Sequence, residues 1–264
     1  MFTLSTARWP DVEAGPRRLL VVPVGSLEQH GSHLPLDTDT RIATAVAARA
    51  CAGRAGVGLA PAIAIGASGE HADFPGTLSI GNVALSTLLI ELGRHAALHW
   101  PAMLLVNGHG GNVTAIRDAL RLLAAEGRRC HAWHSGLRPG MLAAGESLLP
   151  DAHAGRVETS IMLALAPDEV RLDSAVAGDT RPLSEIMPAL SAHGVRHVSP
   201  NGVLGDPAGA AAAEGERLLG LLAADLAQTV DRLLGSAGCS GGDALATQQK
   251  GDSPGERDAR RGRP

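Results

Sequence analysis

Short aliphatic runs separated by longer stretches of helical periodicity constrain this 264-residue chain more than any other feature. Runs rich in β-branched and aliphatic residues at 19–24, 57–65, 103–106 and 129–133 read as strands. Apolar residues recur at helical spacing over 40–52, 83–99, 113–126, 158–166 and 210–234, with Asn82 and Asn112 placed as N-caps. Strands and helices alternating at this spacing predict an α/β fold whose mostly parallel sheet is covered on both faces. In such a sheet ligands bind beyond the carboxyl ends of the strands. The residues that follow each strand therefore matter most for function.

Those residues are unusually polar. The first strand is followed by Gly25-Ser-Leu-Glu28-Gln-His30 and, nine residues on, by Asp39; the second by Gly69-Glu70-His71; the third by Asn107-Gly-His109-Gly-Gly-Asn112. A fourth cluster, Asp151-Ala-His153-Ala-Gly-Arg-Val-Glu158, opens a predicted helix. Glu28, His30, Asp39, His109 and Glu158 form a mixed carboxylate and imidazole donor set without a thiolate, which suits a pair of Zn, Mn or Fe ions better than a structural zinc. Glu28 and His30, two apart in an extended segment, face one side and can reach a common centre.

Other readings of these residues compete with that one. Asp37 reads as a cap of the helix at 40. The glycine-rich loop around His109 has the look of an anion nest or an oxyanion loop, yet the chain has no G-x-S-x-G elbow, no P-loop lysine and no complete G-x-G-x-x-G. His95 and His99 lack the glutamate of H-E-x-x-H and read as ordinary helix residues. His131, His134, His193 and His197 have no comparable carboxylate neighbours and receive no role.

Composition excludes whole classes. Two Phe, three Trp and no Tyr leave little for stacking bases, and a net charge of −4 supplies no basic field for a phosphate backbone, so nucleic acid is not an expected partner. Cys51, Cys130 and Cys239 are far apart and form no CxxC pair, which points to a reducing compartment without a disulfide framework. No stretch approaches the roughly 18 apolar residues of a bilayer span, and a soluble cytoplasmic protein is expected. From Ser236 to Pro264 large apolar residues almost vanish, which predicts a disordered tail behind one folded domain of residues 1–235.

Taken together, Val22-Pro-Val-Gly-Ser-Leu-Glu28-Gln-His30-Gly, Leu34-Pro-Leu-Asp-Thr-Asp39-Thr, Glu70-His71 with Phe74-Pro-Gly-Thr77, Asn107-Gly-His109-Gly-Gly-Asn112 and His153-Ala-Gly with Glu158-Thr-Ser resemble the creatininase (creatinine amidohydrolase) family. The resemblance spans about residues 20–160. It implies a three-layer α/β/α fold and two divalent metal ions per chain, held by Glu28, His30, Asp39, His109 and Glu158 with Asp39 as the bridge. It also implies hydrolysis of C–N bonds and a homo-oligomer, often a hexamer.

One position departs from creatininase itself, which carries a glutamate two residues after the histidine ligand, where this chain has Gly111. Glu158 is then the expected replacement. The segments 36–43, 71–80 and 199–207 are most similar to a branch of the family that releases a modified C-terminal Val-Tyr unit from a ribosomally made precursor peptide, which makes that peptide the expected substrate; a cyclic small-molecule amide is the alternative. Two ions about 3.5–4 Å apart can turn a bridging water into a hydroxide nucleophile. In that scheme His153 shuttles the proton to the leaving amine, the alternative being that it only braces a metal ligand, and Glu158 is both a catalytic residue and a ligand. His71 is expected to meet the substrate or to brace a ligand.

Overall fold

The computed structural model describes residues 1–138, 140–142 and 151–238. Its five strands, β1 (Phe2–Thr3), β2 (Leu19–Val24), β3 (Val57–Leu59), β4 (Met103–Asn107) and β5 (Cys130–His134), form one parallel sheet in the order β1-β3-β2-β4-β5. The register pairs Leu20 with Met103 and Val24 with Asn107, so β2 and β4 end level with each other. Both are buried along their whole length, which is why they read as continuous aliphatic runs rather than alternating ones.

Alternation sorts their side chains between two cores. Leu19 and Val21 of β2, with Leu104 and Val106 of β4, join a cluster that includes Ile42 and Val46 of α2 (Thr38–Cys51), Ile161 and Met162 of α5 (Arg156–Leu165), and Leu218, Leu222 and Leu226 of α8 (Ala212–Gly238). Leu20, Val22, Met103 and Leu105 point the other way, to Leu85 and Leu89 of α3 (Gly81–Ala96) and Ile116 and Leu123 of α4 (Val113–Ala125). The result is the expected three-layer α/β/α arrangement. Ile186, Leu190, Val195 and Leu204, with Phe74 packed on them, make a small satellite core under α6 (Leu183–His193) and α7 (Val195–Val198).

The departures from the expected boundaries have local causes. The second strand stops at Leu59 instead of residue 65, because Pro61 has no N–H to give the ladder; only a bridge from Ile63 to Val24 continues it. Asn82 does not cap α3, whose N-cap is Ile80; the Ser79 hydroxyl accepts from the Gly81 N–H instead. That helix ends at Ala96, a turn short of His99 and ahead of Trp100-Pro101. Three helices lie outside the expected set: α1 (Trp9–Ala14), with a proline in its first turn, α6, with Pro188 inside it, and the four-residue α7. α8 runs on to Gly238, so the first three residues of the expected tail continue a helix, and 239–264 lie outside the described residues. No helix among the described residues is long and apolar enough to cross a membrane.

Candidate metal centre

The loops that leave β2, β3 and β4 meet at the carboxyl edge of the sheet, where the strand order reverses about β2. Asn112 staples them together. Its Nδ2 donates to Gly25 O (2.9 Å) and Asn107 Oδ1 (3.1 Å), and its Oδ1 accepts from the Ala67 N–H (2.8 Å). Asn112 does stand at the N-cap position of α4, but its side chain makes no capping bond, because it is committed to these loops. Asp37 likewise sits at the N-cap of α2 without capping it, and its carboxylate takes Arg41 Nε at 2.7 Å.

All five expected donors converge. Asp39, in the first turn of α2, turns its two oxygens in different directions: Oδ1 lies 3.2 Å from His30 Nε2, and Oδ2 lies 3.1 Å from His109 Nδ1 and accepts from Ser26 Oγ at 2.8 Å. His30 Nδ1 donates to Glu28 O at 3.1 Å, which aims Nε2 inward. Glu158 Oε2 stands 4.0 Å from that nitrogen and accepts from the Ala154 N–H at 2.6 Å. Ala154 reaches this position at φ 55°, a left-handed conformation that non-glycine residues rarely adopt.

Glu28 is the centre's unpaired member. Both its carboxylate oxygens are buried without a hydrogen-bond donor. The nitrogens of His109, His71 and His153 stand 3.1, 3.3 and 3.8 Å from Oε1 without the alignment of a hydrogen bond. A buried carboxylate without a partner is costly, and cations relieve that cost. Three overlapping triads have donor atoms close enough to share an ion: Glu28, Asp39 and His109; His30, His153 and Glu158; and Glu28, His71 and His153. Hard oxygens and imidazoles in this mixture fit first-row divalent ions. The residues present therefore fit a two-ion centre.

The electrostatics agree with that fit. Burial opposes charging His30, yet the Asp39 carboxylate outweighs it and pushes the imidazole up to about 9. His109 is raised in the same way by Asp39 and Glu28 against its burial. Asp39 is held well below the usual carboxylate range, because His30 and His109 together outweigh its burial. In the ion-free chain, His30 and His109 thus supply the positive charge that Asp39 needs. Burial pushes Glu158 up to about 7, and pushes the less well paired His71 and His153 down to about 4 and about 3.

Gln29 organises the two neutral rings, and sequence reasoning gave it no role. Its Nε2 stands 2.8 Å from His71 Nδ1, 3.0 Å from His153 Nε2 and 2.9 Å from Gly202 O. His153 Nε2 also lies 2.7 Å from the Gln29 carbonyl, an acceptor only, so Nε2 carries the hydrogen and Nδ1 keeps its lone pair. Gly202 lets this packing happen: its φ is 82°, and a Cβ there would lie 1.9 Å from Gln29 Oε1. The 199–207 segment therefore backs the site. No spacing rule singles out Gln29, although it lies between two expected ligands.

The histidines that were given no role lie on other elements, with one exception. His95 and His99 face each other at 6.4 Å, on and just past the end of α3. His131 and His134 belong to β5, and His134 Nδ1 lies 3.1 Å from Asn107 Nδ2. His193, which had no expected role, joins Asp39, Glu70, His71, His109, His153 and Glu158 in lining an open cavity of about 1790 Å³.

Comparison with known proteins places this geometry. Residues 5–230 match the family Creatininase, described as creatinine amidohydrolase. A mycofactocin precursor peptide peptidase of Mycolicibacterium smegmatis is 49% identical over 220 residues, covering 81% of this chain and 85% of that protein. A creatinine amidohydrolase of Pseudomonas putida is 33% identical over 184 residues, covering 60% and 68%. Among solved structures, a manganese creatininase superposes with a TM-score of 0.69 at 28% identity, covering 87% of this chain and 97% of its own.

Proposed function

Because the chain belongs to the creatininase family, we propose that it is a metal-dependent hydrolase of C–N bonds, a peptidase that releases the modified C-terminal Val-Tyr unit of the mycofactocin precursor peptide. The observation that carries the enzymatic reading is the buried carboxylate of Glu28, without a donor, at the meeting point of a complete donor set. The substrate rests on 49% identity across most of both chains, and an open cavity of about 1790 Å³ has room for a peptide end.

Glu28, His30, Asp39, His109 and Glu158 would hold two divalent ions of Zn, Fe or Mn, Asp39 turning one oxygen toward His30 and the other toward His109. Such ions supply Lewis acidity and lower the pKa of water. The chain's own residues supply the rest. With its hydrogen held on Nε2, His153 has the Nδ1 lone pair free to take a proton from the attacking water and deliver it to the leaving amine. Gln29 fixes that tautomer. His71 lines the cavity and also faces Glu28, which supports either contact with substrate or bracing of the ligand. A cytoplasmic location fits the free thiols of Cys51 and Cys130.

Mass spectrometry of the modified precursor peptide, incubated with Zn-, Fe- or Mn-loaded protein, is expected to show a released C-terminal fragment. Asp39→Ala and His109→Ala are expected to abolish it and to lose bound ions. An intact peptide beside a hydrolysed cyclic amide such as creatinine would move the function to the second substrate class. Wild-type protein that takes up no ion would end the metal reading.

A further inference from the structure

We infer that Glu70 is a positioning residue of the metal centre, its carboxylate standing in the space that Gly111 leaves empty and gripping His109 through the ring nitrogen that faces away from Glu28 and Asp39. This rests on the metal-centre reading above and adds a residue to it. A Cβ at position 111 would lie 2.4 Å from Glu70 Oε1, 2.4 Å from His109 Nε2 and 2.3 Å from Ala67 O. The glycine is thus what lets the carboxylate reach the ring. Any side chain there would push Glu70 away.

Oε1 of Glu70 lies 3.3 Å from His109 Nε2, and the Ala67 carbonyl lies 3.2 Å from the same nitrogen. Neither oxygen has a proton to give, so Nε2 carries the hydrogen. His109 Nδ1, 3.1 Å from both Glu28 Oε1 and Asp39 Oδ2, is then the nitrogen offered to an ion. The carbonyl alone would set that tautomer. A carboxylate adds negative charge behind the ring, which makes the imidazole a stronger ligand. The short helical turn Gly69–His71 presents Glu70 to His109 and His71 to Glu28, so one loop supports two members of the centre. Glu158, the carboxylate expected to make up for the one missing after His109, stands beside His30 and accepts from the Ala154 N–H, which leaves the far side of the His109 ring to Glu70.

The test is a Co2+ titration of the full-length ion-free protein, read by chelator competition and by the visible spectrum. Wild type is expected to take two ions per chain. Glu70→Gln, nearly isosteric, is expected to keep both sites and the ion-free melting temperature, to weaken ion binding about 10- to 100-fold and to shift the Co2+ absorption bands. Glu70→Asp, which keeps the charge, is expected to recover part of the affinity. Glu169→Gln, an exposed carboxylate paired with Arg41, is expected to behave as wild type. Wild-type affinity in Glu70→Gln would overturn the inference. So would outright loss of one ion per chain, which would make Glu70 a direct ligand, or a lowered ion-free melting temperature with unchanged affinity. Absence of ion uptake by wild type would overturn the metal reading itself.

Discussion

At the scale of single residues, the centre is a problem of charge without solvent. Glu28 and Asp39 are buried and Glu158 is largely enclosed; in the ion-free chain protons on His30 and His109 face Asp39, while burial pushes Glu158 up to about 7. His30 is pushed up to about 9, so at pH 7 it is protonated until an ion arrives and displaces the proton. His109 is raised as well. Ion loading at pH 7 is therefore expected to release on the order of two protons per chain, and binding should weaken as pH falls. Calorimetry in buffers of different ionisation enthalpy measures that release, and a value near zero would contradict the charge balance. His153 differs in kind. Burial pushes it down to about 3, and its hydrogen is held on Nε2 by the Gln29 carbonyl. His153→Ala is expected to keep its ions, measured by metal analysis, and to lose turnover by about 10²–10⁴-fold. Full activity would refute the proton-transfer role.

At the scale of elements, β2 and β4 deliver the chemistry because they end level and neighbour each other in the middle of the sheet. Buried aliphatic runs mark strands so firmly that β2 was expected at its observed bounds and β3, β4 and β5 overlap theirs, whereas the two-residue β1 was not expected. Elements defined by weaker signals escaped: α6 contains Pro188, a residue that normally argues against a helix interior, yet Ile186 and Leu190 bury enough apolar surface in the satellite core to hold it. α8 closes the layer against α2 and α5 through Leu218, Leu222 and Leu226. Leu218 is fully buried, and Leu218→Ala is expected to destabilise the fold by about 3 kcal/mol in denaturant titration, since truncation there leaves a cavity.

At the scale of the whole molecule, apolar surface remains unused. Ile65, Leu78, Ile80, Val83 and Leu88, on the segment leading into α3 and on that helix, are all exposed. The family resemblance implies a homo-oligomer, and these residues form one apolar stretch that a second copy of the chain could bury. Light scattering is expected to give a mass several times 27.0 kDa, reduced to the monomer by Leu78→Glu with Val83→Glu. A monomeric wild type would exclude that assembly.

The alternation of aliphatic runs and helical periods was enough to specify the layers, because burying one face of each element is a local demand that every stretch of sequence states for itself. That the five donors would gather was legible for a related reason: carboxylates and imidazoles set just past buried strands collect at one edge of the sheet, where enclosing them is costly unless they share a charge partner. Which donor faces which was settled only by packing. His30 meets Asp39, His109 meets Glu70, and Gln29 spans His71, His153 and Gly202 across separations of 9 to 173 residues. Asn112 looked like a helix cap and became the staple of three loops. Such contacts depend on distances of a few ångströms between segments remote in sequence. No local pattern encodes those distances, and the close-packed sheet and its two cores decide them.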